Sequence, residues 1–82
     1  MDTFRDVIFL WPSLAAFADD IDVKYVTAQA MYRRDNIPSE YWDEVVASAT
    51  KRGFLPVTLS ALSKLAAGRR AAQRVRSEPL QA

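Results

Sequence analysis

Helix-breaking residues punctuate this chain at intervals of one or two short helices, and that punctuation limits what it can fold into. The cuts fall at "WPS" (Trp11–Ser13), at "NIP" (Asn36–Pro38), at Gly53 and at "FLPV" (Phe54–Val57). Proline disfavours helical backbone in the residue before it, and glycine readily takes the left-handed turn that ends a helix. Between the cuts, apolar residues recur at steps of three and four, a helical period. No stretch alternates convincingly enough for a strand, so the fold expected is all-α, with four to five short helices.

The first helix is expected from Thr3 to Leu10, capped by Asp2, with Phe4, Val7, Ile8 and Trp11 at helical spacing. Ser13 caps a second, Leu14 to Ile21, whose stripe is Leu14, Phe17, Ala18 and Ile21. The third runs from Lys24 to Arg34. Ser39 is expected to cap the fourth, with Tyr41, Trp42, Val45, Val46 and Ala49 inward and Gly53 as terminator. Thr58 caps the fifth, with Leu59, Leu62, Leu65 and Ala66 inward and Gly68 as its end or fray point. Residues 1–67 read as one domain and 68–82 as a basic, partly disordered tail.

Such a chain has little to hold it besides its core. Its 82 residues include no cysteine and no histidine, which argues against a disulfide or a zinc site. A core of this size supplies roughly 3–5 kcal/mol, so self-association is expected. No apolar run approaches membrane-spanning length, and "MDTFRD" is acidic where a signal peptide is basic. A soluble cytoplasmic protein follows as the expectation. With two glycines there is no Gly-rich phosphate loop, and no pair of carboxylates is placed around a pocket. Neither an enzyme nor a cofactor is expected.

The net charge of +1 conceals segregation. Residues 1–22 carry five aspartates against Arg5, whereas 51–76 carry seven basic groups and no acid. A chain touching a polyanion on one face has this character. The helices flanking Ile21 to Lys24 have the spacing of a helix-turn-helix, whose second helix enters a DNA major groove. Ala18 is small where two helices cross, and Val23, Ala28 and Met31 face inward with Phe17 and Ile21. Tyr25, Gln29 and Arg33, spaced four apart, are left on the opposite face.

At these residues the chain resembles a known family. "FADDIDVKYVTAQAMYRR" is similar to the helix-turn-helix of Cro/cI-type phage repressors. Over residues 8–67 the chain resembles small Cro-like prophage regulators. Two positions depart from the family pattern. Asp22 stands where glycine is usual, and Ala28 where valine or isoleucine is usual. The resemblance implies a DNA-binding transcriptional regulator, most simply a repressor of phage or prophage-type genes. It would act as a homodimer on a palindromic operator in a bacterial or phage-infected cell. Base-reading sites fall on Lys24, Tyr25, Val26, Gln29, Ala30 and Arg33. Glutamine suits adenine, and arginine or lysine suits guanine. Phosphate contacts fall on Ser13 and Arg34, with Arg69 and Arg70 as a further clamp. Leu59, Leu62 and Leu65 are the expected dimer contact.

The alternative is a helical protein-interaction module that binds RNA polymerase or another host protein and reads no DNA. Tyr25 would then be a packing residue, and Gln29 and Arg33 a solvated face. The C-terminal arginines would be solubilising, and Trp11, Tyr41 and Trp42 read as core or subunit interface either way. The cluster Asp19, Asp20 and Asp22 would repel phosphate, so it is expected to point away from a duplex.

Overall fold

Thr3, rather than Asp2, starts the first helix of the computed structural model, which describes residues 1–77, with side chains through residue 71. The Thr3 hydroxyl accepts the Asp6 amide at 3.1 Å, while the Asp6 carboxylate accepts the amides of Asp2 and Thr3 at 2.9 and 3.3 Å. This reciprocal capping box satisfies donors that a helix start leaves open. These bonds, that from Asp2 foremost, hold the Asp6 carboxyl below its ordinary pKa. Helix α1 spans Phe4–Ile8 and stops short of Leu10, because Leu10 and Trp11 bond back to Val7 and Ile8 in tighter turns.

Helix α2 (Leu14–Asp20) is capped by the Ser13 hydroxyl on the Ala16 amide at 3.0 Å. Helix α3 (Tyr25–Arg34) follows after the connection Ile21 to Lys24, with Lys24 as N-cap. Ser39 does not cap the next helix. Ser39–Tyr41 form a 3-10 turn after Pro38, and α4 proper is Trp42–Arg52. Thr58 does cap the last helix, its hydroxyl accepting the Ala61 amide at 3.1 Å. That helix, α5 (Leu59–Ser77), passes through Gly68 without ending there. No strand occurs among the described residues.

One core joins these elements: Phe4, Val7, Ile8 and Trp11 from α1 and its exit, Phe17, Ala18 and Ile21 from α2 and its C-cap, Ala28 and Met31 from α3, Val45 and Ala49 from α4, and Leu62 from α5. Ile37 and Val57, both in connections, are buried with them. Trp11 stands edge-on to Phe17 and Phe54, at 5.0 and 5.1 Å, and so ties α1 and α2 to the α4–α5 connection. Tyr41 and Trp42 are partly buried against the core, and the Trp42 indole donates to the Ile37 carbonyl at 2.8 Å. Leu65 and Ala66 pack against the core as the stripe requires, but Leu59 is 49% exposed. It lies in the first turn of α5, ahead of Leu62, where that helix meets the interior.

Candidate nucleic-acid interface

The turn between α2 and α3 is built by backbone hydrogen bonds. Val23 donates to Ala18 at 3.0 Å and Asp22 to Asp19 at 3.3 Å, the paired bonds of a Schellman cap. That cap needs a left-handed residue, and Asp22 supplies it at φ 58°. Aspartate tolerates this region better than most residues, which explains its presence at a position where glycine is usual.

Beneath the turn, Asp20 acts as an anchor. Its carboxylate accepts the Trp11 indole at 2.8 Å and the Arg52 guanidinium at 2.5 and 3.2 Å, and its carbonyl accepts the Ser48 hydroxyl at 3.1 Å. Arg52 first, then Trp11, pull the Asp20 carboxyl below its ordinary pKa; the same contact raises Arg52. The three aspartates at this corner therefore differ in role. Asp20 is structural, Asp22 makes the turn, and Asp19 is exposed.

On this frame α3 turns Ala28 and Met31 into the core and leaves Tyr25, Val26, Gln29 and Arg33 exposed. At 3.6 residues per turn, Tyr25, Gln29 and Arg33 lie within roughly 80° of arc and span about 12 Å of axis. Lys24 is exposed at the helix start, Arg34 at its end, and Ala30 is half-buried at the edge of the face. Val26 is 65% and Tyr25 49% exposed, so Tyr25 is not a buried packing residue. No side chain caps the start of α3; the Thr27 and Ala28 amides donate to the Lys24 carbonyl at 3.0 and 3.1 Å, which leaves those of Tyr25 and Val26 without an acceptor among the described residues.

The far end of α3 is held differently. Asp35, left-handed at φ 53°, closes a second Schellman cap, with Asn36 donating to Met31 at 3.0 Å and Asp35 to Tyr32 at 3.2 Å. From α1, the Arg5 guanidinium donates to the carbonyls of Tyr32 and Arg33, each at 2.8 Å, and lies 5.8 Å from the Tyr32 ring centre. The Arg5 amide in turn donates to the Asp35 carboxylate at 3.0 Å. A cation on the last carbonyls also complements the negative end of the helix dipole.

Of the expected phosphate contacts, Ser13 and Arg70 are exposed, and Arg69 is half-buried beside a groove that Asp2, Asp35 and Lys64 also line. Leu62 is sealed in the core and Leu65 packs on it, so of the leucines assigned to a dimer contact only Leu59 presents substantial surface. Arg74 and Arg76 fall where no side chain is described. A shallow groove of about 320 Å³ opens beside Ser13, lined in part by Phe9, Pro12, Leu14 and Tyr32, with Phe9 75% exposed. Neither Arg5 nor Phe9 carries a local sequence signal for its role, since each depends on what the fold brings alongside. No helix among the described residues is long and apolar enough to cross a membrane. No family model, curated protein or solved structure matches this chain.

Proposed function

We propose that this protein is a sequence-specific DNA-binding regulator whose helix α3 enters the major groove. The reading rests on one observation. Tyr25, Gln29 and Arg33 stand together on the solvent face of α3, while Ala28 and Met31 fix that helix from beneath. Lys24 and the uncapped amides of the first turn lie at the leading end, where donors suit base edges and phosphate. Val26 and Ala30 leave room for close approach and for a thymine methyl. The Cro-like resemblance supplies the biological setting, a homodimer on a palindromic operator that represses phage or prophage-type genes.

Selection of bound duplexes from a random-sequence pool tests this reading. A palindrome with half-sites about one helical turn apart, roughly 34–36 Å, is the expected product. Arg33→Ala is expected to cost about 1–3 kcal/mol on the selected duplex and much less on random DNA. A pool that yields no enriched sequence overturns the reading, as does an equal loss on both duplexes.

The exposed Phe9 beside its apolar groove favours a second reading, a helical module that docks on a protein such as RNA polymerase. Salt separates the two. Phosphate-dominated binding falls by orders of magnitude between low and moderate salt, and an apolar protein contact does not.

A further inference from the structure

We propose that Arg5 is the positioning residue of the reading helix. By occupying the terminal carbonyls of α3 it fixes the last turn and releases Arg33 and Arg34 for a nucleic-acid ligand. The inference rests on the DNA-reading proposal above.

A helix leaves its last carbonyls without intrahelical partners. Arginines in the last turn can serve them and complement the negative end of the dipole. Here the last turn holds Arg33 and Arg34, yet neither side chain makes a hydrogen bond or ion pair among the described residues. The carbonyls of Tyr32 and Arg33 are instead taken by Arg5, which lies 27 and 28 residues away in sequence.

The delivery is rigid. A guanidinium is a planar fork, so two bonds from one group define an orientation as well as a distance. The Arg5 backbone is itself fixed, because its amide is bound by the Asp35 carboxylate, and Asp35 is the left-handed residue that ends α3. Arg5 and Asp35 thus form a reciprocal clamp between α1 and the end of α3. Phe4 and Val7, buried on either side of Arg5, hold α1 to the core. The clamp therefore refers the position of Arg33 to the body of the protein. Replacing Arg5 would leave the Arg33 carbonyl without a donor and the Tyr32 carbonyl with the Asp35 amide alone, so Arg33 and Arg34 would be drawn back onto the end of their own helix.

The test uses Arg5→Lys, which keeps the charge but cannot make the planar two-carbonyl contact, and Arg5→Met, which removes both. Far-UV circular dichroism first establishes that each variant is folded at the working temperature. Amide hydrogen exchange of the free protein is then compared at Asp35 and Asn36, with Ile21 and Val23 as internal references. Affinity is measured for a duplex the wild type selects from a random pool and for a scrambled duplex of the same length.

In both variants, exchange at Asp35 and Asn36 is expected to quicken about tenfold while the reference amides hold. Arg5→Lys is expected to keep scrambled-duplex affinity and lose about tenfold on the selected duplex, the scale of one bidentate base contact. Unchanged exchange at Asp35 and Asn36 overturns the clamp. Quickened exchange with an unchanged ratio of selected to scrambled affinity reduces Arg5 to a structural role and overturns the proposal. A wild type that prefers no sequence is a different failure. It removes the DNA reading, and the recognition role of Arg5 with it, while the exchange result still decides whether the clamp exists.

Discussion

The two ends of α3 are finished in opposite ways. Each is flanked by an aspartate in the left-handed region, Asp22 before the helix and Asp35 after it. The Asp35 carboxylate accepts the Arg5 amide, whereas the Asp22 carboxylate accepts no hydrogen bond among the described residues. The leading end has no side-chain cap, and the trailing end has a Schellman cap and an arginine from another helix. A helix kept only for packing gains from satisfaction at both ends. Leaving one end open while the other is pinned suits an element that presents donors at its tip and must not slide.

The largest test of this contrast removes the frame beneath the open end. Asp20→Ala strands the buried Trp11 indole and releases the exposed Arg52 guanidinium to solvent, and is expected to cost about 2 kcal/mol in urea denaturation, most of it at Trp11. The same carboxylate gives a pH signature. Because its folded pKa is depressed, its contribution is complete above the ordinary aspartate pKa and drains away as pH falls through the lowered value. Asp20→Asn keeps a partner for Trp11 and is expected to flatten that part of the acid limb.

Next in size is Asp35→Ala, which loses the Arg5 amide bond and puts a β-carbon without local polar support in the left-handed region. The expected cost is about 1–2 kcal/mol, read by thermal or urea unfolding. Supplying the missing cap with Lys24→Ser is expected to stabilise the fold by about 0.5–1 kcal/mol and weaken duplex binding at the same time. A variant that gains stability with undiminished binding would break the view that the open end serves a ligand. Smallest is a pair of glycine substitutions. Asp22→Gly is expected to stabilise by about 0.5 kcal/mol because only backbone strain is removed. Asp35→Gly is expected to gain nothing, since relief of strain is offset by the lost carboxylate bond. Equal effects at both positions would erase the distinction.

How much of this was legible in the sequence depends on how far each interaction reaches along the chain. The stripe of Phe17, Ala18 and Ile21 and the outward face of Tyr25, Gln29 and Arg33 follow from steps of three and four within one or two helices. Arg5 and its carbonyls are 27 and 28 residues apart and Asp20 and Arg52 are 32 apart, and no local pattern joins them. Among three neighbouring aspartates, the one that faces Trp11 and Arg52 is decided by where α4 ends, which is a tertiary fact. Ile37, Phe54 and Val57 sit in connections, where periodicity carries no information about burial. Leu59 fits the α5 stripe but precedes the point where that helix reaches the core. Gly68 reads locally as an end or fray point, but flanking alanines and arginines are strong helix formers, and their summed preference exceeds the penalty of one glycine.

The interior contains no buried polar or charged side chain among the described residues. Hydrophobic contact is nearly indifferent to direction, so such a centre decides which face of each helix turns inward but fixes its tilt and slide less closely. That finer setting is left to the perimeter, to Arg5, Asp20, Asp35 and the Trp42 indole. A lineage could therefore re-aim its outer helix by exchanging a few perimeter groups, altering what it recognises while cohesion stays almost constant.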